Sequence, residues 1–103
     1  MVEIVELDES GFQDYVANGT TLVDFNASWC GPCKMLGEIL HSHIAPKVDG
    51  IKIASVDIDQ NPNLAVLFEV MSVPTLVLFR DGQLVRSVVG MQRPQDIMDF
   101  INA

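Results

Sequence analysis

The chain has 103 residues, of which 49% are hydrophobic, enough to bury the core of one domain. Fourteen acidic residues against six basic ones give a net charge of −8. This charge argues against nucleic acid and anionic membrane surfaces as partners, and no apolar run has the length of a membrane span. Met1–Glu6 lacks the basic and apolar regions of a signal peptide. We therefore expect a single domain over residues 1–103 in the cytoplasm.

The first half of the chain shows two strand patterns, each followed by a helix. Alternating apolar and acidic residues predict a half-exposed strand over Val2–Leu7. Asp8 or Ser10 is expected to cap a helix that ends near Asn18-Gly19. An apolar run predicts a buried strand over Thr21–Asn26, and helical spacing of apolar residues follows it. Because proline lacks an N–H and crowds the preceding turn, this second helix should end or kink before Pro46, near Ala45.

The second half of the chain contains three further strands and two helices. β-Branched residues predict a strand over Ile51–Ile58, and two more strands, Thr75–Phe79 and Leu84–Val89, flank a hairpin turn at residues 80–83. Prolines at helix starts predict a short helix from Pro62 and a last helix from Pro94. The residues expected to face inward are Leu64, Leu67 and Phe68 in the short helix and Ile97, Phe100 and Ile101 in the last.

The resulting order is β-α-β-α-β-α-β-β-α, which predicts an α/β fold. Helical connections suit parallel pairing of the first three strands, whereas the last two form an antiparallel hairpin. We expect a central mixed five-stranded sheet flanked by four helices. The order of the strands across the sheet does not follow from the sequence pattern.

The only two cysteines, Cys30 and Cys33, lie in the segment Trp-Cys-Gly-Pro-Cys-Lys between a predicted strand and a predicted helix. This spacing lets two thiols close a disulfide across one helical turn, and the N–H groups at a helix start favour a thiolate. The alternatives are two structural cysteines or half of a zinc site. Zinc needs four ligands, and the only histidines, His41 and His43, lack the usual paired spacing. The pattern favours disulfide exchange.

Several motifs in order along the chain make it similar to the thioredoxin family over its whole length. They are Val23-Asp24-Phe25, Trp29–Met35, Asp57–Pro62, Val73–Leu76, Phe79–Gly82 and Val89-Gly90. The resemblance implies the thioredoxin fold and a protein-disulfide reductase, an electron carrier that forms a mixed disulfide with its client and is recycled by thioredoxin reductase. It also implies no bound cofactor, because the Cys30–Cys33 dithiol itself holds two electrons.

The resemblance assigns roles to the motif and to one acid. Cys30 is expected to be the exposed nucleophile, and Cys33, more buried, the resolving thiol. Gly31 and Pro32 shape the turn between the two sulfurs. Asp24 is expected to be buried beneath Cys33 and to transfer its proton, although strand alternation also allows an outward-facing carboxylate.

The resemblance also implies a client-binding surface. Pro74 is expected to be cis and to face the disulfide, with the Val73 backbone pairing with an extended client. Gly90 would let the client approach closely, or serve only as a turn glycine. The predicted apolar patch also includes Pro32, Trp29, Met71 and Met91. Trp29 is expected to be part buried and part exposed, with a place in the core as its alternative, and the two methionines have packing at the domain edge as theirs.

Some positions depart from the family pattern. Asn26 and Ser28 replace a frequent aromatic residue and a frequent acid just before the motif, and Ser55 replaces a lysine that pairs with the buried acid in some members. Without that cation, a buried Asp24 should be harder to ionise. Glu38 replaces a proline that often kinks the second helix, which predicts a straighter helix up to Pro46.

The favoured function is that of a reductase that acts as a monomer on disulfide-containing proteins. Two other functions are alternatives to it. A disulfide isomerase or oxidase is disfavoured by Gly-Pro between the cysteines and by the lack of an export signal. A non-catalytic subunit that binds a partner through its acidic surface is disfavoured by the intact cysteine pair.

Overall fold

The computed structural model describes all residues from Met1 to Ala103. Its elements are β1 (Ile4–Glu6), α1 (Glu9–Val16), β2 (Thr20–Asn26), α2 (Gly31–Ile39), β3 (Ile51–Asp57), α3 (Pro62–Leu67), β4 (Thr75–Arg80), β5 (Gln83–Val89) and α4 (Pro94–Asn102). Five strands and four helices in this order confirm the predicted fold class. No helix is long and apolar enough to span a membrane.

The five strands form one sheet in the order β1-β3-β2-β4-β5. β3 pairs in parallel with both β1 and β2, whereas β4 is antiparallel to β2 and to β5. The predicted parallel and antiparallel sets are therefore both confirmed. The Asp81-Gly82 turn joins β4 to β5 with positive φ at both residues, which suits a tight hairpin.

The two faces of the sheet bury different cores. On one face, α2 and α4 cover aliphatic residues of the strands, including Leu22, Ile53 and Leu76. On the other, α1 and α3 cover a cluster that contains four phenylalanines, namely Phe12, Phe25, Phe68 and Phe79. Because side chains alternate along a strand, β2 contributes Leu22, Asp24 and Asn26 to the first face and Val23 and Phe25 to the second.

The start and end of α1 follow the expected chemistry. Asp8 is the N-cap of α1, and its carboxylate accepts a hydrogen bond from the Gly11 N–H at 2.9 Å. Ser10, the alternative cap, instead donates to the same Asp8 carboxylate. The helix ends at Val16, slightly earlier than predicted, and Gly19 follows it with a φ of 76°.

The second helix differs from the expectation of a straight helix up to Pro46. Its α-helical hydrogen bonding ends at Ile39, and a wider π turn over Leu40–Ile44 and a 3-10 turn over Ala45–Lys47 follow. The Ala45 N–H donates to the Leu40 carbonyl, five residues back, and Pro46 has no N–H to donate. The helix therefore changes its bonding pattern before the proline.

Of the residues predicted to face inward, the prediction is wrong for Leu67 and only partly right for Phe100. Leu67 is 59% exposed, because α3 is a short helix that ends there and turns its last residues away from the sheet. Phe100 is half-buried and packs against the edge of the aliphatic core. The remaining predicted positions, Leu64, Ile97 and Ile101, are buried, and Phe68 packs against the phenylalanine cluster.

Candidate active site

The two cysteines are joined to each other at the start of α2. Cys30 is the N-cap residue, and the disulfide to Cys33 spans a Cα–Cα distance of 5.3 Å. The Cys33 N–H donates to the Cys30 sulfur at 3.2 Å. This contact and the positive end of the helix favour negative charge on that sulfur when the bond is open. Gly31 and Pro32 form the exposed first turn between the sulfurs.

The expected contrast in burial between the two cysteines is wrong in this oxidised state. Cys30 and Cys33 are each 5% exposed. Both pack with Ala27, and Val73 and Ile58 cover the same small cluster. Because a bond joins the two sulfurs, they share one environment, and Cys30 is shielded by Val73 from the opposite loop. No group of three or more potential metal ligands converges anywhere in the chain.

The loop opposite the disulfide contains a cis peptide bond between Val73 and Pro74, as expected. The Cys30 sulfur lies 3.9 Å from the Val73 carbonyl oxygen. Neither the N–H nor the C=O of Val73 takes part in a backbone hydrogen bond of the sheet or of a turn. The Gly90 N–H donates to the Pro74 carbonyl at 2.8 Å, which joins the end of β5 to this loop. Gly90 has a φ of 93°, a conformation that favours glycine.

The other members of the predicted apolar patch are largely exposed. Trp29 is 69% exposed rather than half-buried, because its indole N–H donates outward to the Asp59 carboxylate at 2.8 Å. Met71 is 93% exposed and Met91 is 41% exposed, so neither is core filler. Pro74 is buried, and Val73 is half-buried beside the cysteines. Pro74 and Val73 therefore form the buried part of the patch, and the exposed side chains of Trp29, Met71 and Met91 surround them.

Asp24 lies on the α2 face of the sheet and is 3% exposed, so the alternative of an outward-facing carboxylate is wrong. Burial raises the pKa of Asp24 to about 7, and the nearby Asn26 amide opposes this effect. One carboxylate oxygen, Oδ1, has no hydrogen-bond partner in the protein. An acid with a pKa near neutrality can both accept and release a proton under working conditions.

Two of the departures from the family pattern are in contact beside Asp24. The Asn26 amide donates to the Ser55 hydroxyl at 2.7 Å and to the Asp24 backbone carbonyl at 3.1 Å. Ser55 pairs with Asp24 in the β2–β3 register, so the two side chains share a face. No sequence pattern indicates the contact between Asn26 and Ser55, because the residues lie 29 positions apart.

A cavity of about 180 Å³ lies beneath Cys33, between α2 and the sheet. It is lined by Ile4, Asp24, Asn26, Cys33, Lys34, Gly37, Leu40, His41 and Ser55. Asp24 and Cys33 therefore share one partly polar space. His41 and His43 are both exposed, and His41 also lines this cavity. Sequence reasoning assigned His41 no role, since only the packing of α2 on the sheet brings it near Asp24.

Comparison with known proteins agrees with this geometry. The thioredoxin family model matches residues 3–103. The chain belongs to the thioredoxin family. It is 46% identical to a thioredoxin of Staphylococcus saprophyticus over 99 residues, which cover 95% of this chain and 94% of that protein. It is 43% identical to a thioredoxin of Staphylococcus haemolyticus over 100 residues, 96% of this chain and 95% of that one.

A solved structure shows the same fold. The chain superposes on a single-site mutant of a thioredoxin from Halobacterium salinarum with a TM-score of 0.89 and 37% identity, covering 97% of this chain and 88% of that one. The predicted thioredoxin fold is therefore confirmed. Membership of the family and the Cys30–Cys33 disulfide make the chain a thiol-disulfide oxidoreductase that acts on protein disulfides. Its partners are, in general, disulfide-containing proteins and a reductase.

Proposed function

We propose that the chain works in the reducing direction, with Cys30 as nucleophile, Cys33 as resolving thiol and Asp24 as proton acceptor. The observation that supports this most directly is the cysteine pair at the start of α2, opposite a loop whose Val73 backbone is free. Gly-Pro between the cysteines is the spacer of reducing family members, so an oxidase or isomerase is the weaker proposal.

The reaction proceeds in two displacements. The Cys30 thiolate attacks one sulfur of the client disulfide, so that a Cys30–client bond forms and the second client sulfur leaves as a thiolate that takes up a proton. Cys33 then loses its thiol proton to the Asp24 carboxylate and attacks the Cys30 sulfur. The Cys30–Cys33 bond forms, the Cys30–client bond breaks, and the first client sulfur leaves and is protonated. Two electrons pass from the dithiol to the client, without a bound cofactor.

The client would bind as an extended segment across the loop. The free N–H and C=O of Val73 are suited to pair with its backbone, as in strand addition. Pro74 shapes this loop, and Gly90 leaves room for the client backbone because it has no side chain. The surrounding contacts would come from Trp29, Met71 and Met91, whose exposure leaves them free to contact apolar client residues.

The cellular setting is part of the same proposal. Thioredoxin reductase would recycle the Cys30–Cys33 disulfide. With a monomer as the default state, we place the protein in the cytoplasm, without nucleic acid or membrane partners, on two grounds. Its cysteines are confined to the redox motif, as suits a reducing compartment, and its net charge is −8. That charge repels phosphate-rich surfaces.

Replacing Cys33 with serine tests the assigned roles. Cys33→Ser keeps the nucleophile but cannot resolve, so it should accumulate a covalent mixed disulfide with a disulfide-containing protein, visible by mass spectrometry and lost on adding dithiothreitol. Cys30→Ser is the matched control and should form no such adduct at comparable rate. Equal trapping by both variants, or by neither, would overturn the assignment of nucleophile and resolving thiol.

A further inference from the structure

The cavity beneath Cys33 connects a buried acid to the protein surface. Its volume of about 180 Å³ is well above what a single water molecule needs, and Asp24, Asn26 and Ser55 provide polar groups along its sheet side. The Oδ1 of Asp24 is buried without a hydrogen-bond partner, while the residue as a whole lines this cavity. Asp24 itself is 3% exposed, so a proton that it receives must leave through this cavity.

The helix side of the cavity leads from Cys33 to His41. Cys33 and Gly37 are four residues apart and lie on one side of α2, and His41 follows in the π turn, where it lines the same cavity. Gly37 has no side chain, and a Cβ built there would meet no atom within 4 Å other than its chain neighbours and the backbone of its own helix. Cys33, Gly37 and the exposed His41 therefore line one side of the cavity, and no side chain at Gly37 separates the other two.

The other charged groups near this cavity differ from His41 in chemistry. Lys34 lines the cavity from α2, and Glu6 of β1 lies on the same face of the sheet as Asp24, because both pair with Ser55. Histidine is the residue type among these that ordinarily changes its protonation between pH 5 and 8. The α4 helix also packs on the π turn, but its charged residues, Asp96 and Asp99, do not line the cavity.

We propose that His41 moves protons between the buried Asp24 and solvent while Cys33 resolves the mixed disulfide. After the Asp24 carboxylate has taken the Cys33 thiol proton, the proton passes through the cavity to the His41 imidazole, which releases it to solvent and returns Asp24 to its carboxylate form. His41 does not contact the reacting sulfurs and acts through Asp24. The inference thus rests on the proposed role of Asp24.

The first experiment measures single-turnover reduction of a saturating disulfide-containing protein from pH 5.5 to 9 in weak buffer, followed by Trp29 fluorescence. His41→Gln should slow the reaction about three- to tenfold near pH 7, since it removes one proton-transfer group. His43→Gln is the matched control, because His43 is exposed two positions further on and does not line the cavity. Equal rates for His41→Gln and the unaltered protein, or equal losses in both variants, would overturn the proposal.

Added imidazole separates proton transfer from a structural effect. It should restore the rate of His41→Gln and leave the other proteins nearly unchanged, because a small buffer can replace the missing group at an open cavity. Gly37→Leu keeps His41 but fills the gap between it and Cys33, so it should be slow and should not respond to imidazole. A slow His41→Gln that imidazole fails to restore would also contradict the proposal.

Asp24→Asn distinguishes failure of this inference from failure of the proposed function. A slow Asp24→Asn beside a normal His41→Gln would leave the role of Asp24 intact and overturn only the role of His41. A normal Asp24→Asn would overturn both. If both roles hold, the double variant should be no slower than Asp24→Asn alone, because His41 acts through Asp24.

Discussion

Asp24 and Phe25 are neighbours in β2, and they show how different the two faces of this sheet are. Phe25 is fully buried with three other phenylalanines beneath α1 and α3, where ring centroids of neighbouring pairs lie 5.0 to 6.3 Å apart. Asp24 is almost as buried beneath α2, yet one of its oxygens has no partner and a cavity lies beside it. Both faces bury an apolar core, but only the α2 face also retains an unfavourable charge near the disulfide, which serves the chemistry.

The largest expected change in the free energy of unfolding comes from the sheet face that carries the phenylalanine cluster. Phe12 is fully buried and lies 5.3 Å from the Phe68 ring and 5.5 Å from the Phe79 ring. Phe12→Ala should lower the free energy of unfolding by about 3 to 5 kcal/mol, measured by urea denaturation, because it leaves a cavity. Leu67→Ala, at the exposed end of α3, should cost less than about 0.5 kcal/mol. The disulfide chemistry of the folded fraction should be unchanged in both, and a loss at the active site would contradict the separation of the two faces.

On the opposite face, Asp24→Asn should raise the free energy of unfolding, whereas Phe12→Ala lowers it. The pKa of Asp24 is about 7 in the folded protein and 3.8 for a free carboxyl, so the folded state keeps a proton that the unfolded chain loses in this window. Asp24 therefore lowers stability progressively as the pH rises from about 4 to about 7, by on the order of 4 kcal/mol once the pH exceeds the folded pKa.

Denaturation of the oxidised protein at several pH values checks this. Asp24→Asn should be more stable than the unaltered protein at pH 8 by up to that amount, and nearly equal to it at pH 4. Asp14→Asn on the exposed surface of α1 is the control and should show no such pH-dependent gain. A gain that is the same at pH 4 and pH 8 would mean that packing, and not charge, explains the effect.

A smaller effect, on the pKa of Asp24, should follow from placing a cation beside this residue. Ser55→Lys places an ammonium next to the carboxylate in the β2–β3 register and should lower the pKa of Asp24 by about one unit. Carboxyl carbon NMR measures this shift, and the pH at which client reduction reaches half its maximum should move in the same direction. Ser55→Gln, similar in length but uncharged, should leave the pKa near about 7. Equal shifts in both variants would show that lost hydrogen bonding of Asn26 is the cause.

Local patterns in the sequence were sufficient for most of the fold. Alternation and helical spacing placed every strand and helix, and Pro62, Pro94 and the Asp8 cap marked helix starts, because these signals depend on nearby residues. The errors lie where a helix end depends on packing. The π turn begins after Ile39, several residues before Pro46, and Leu67 is exposed as the last residue of the short helix α3.

By itself, the sequence placed two cysteines three residues apart at the start of a helix, and the family motifs along the chain identified them as a redox-active pair. The strand order, the contact between Asn26 and Ser55, the cavity and the position of His41 beside it were decided by the tertiary structure. Each of these joins residues far apart in the chain. The strand order and the contact between Asn26 and Ser55 result from strand pairing, whereas the cavity and the position of His41 result from the packing of α2 and its π turn on the sheet, and no local pattern encodes either.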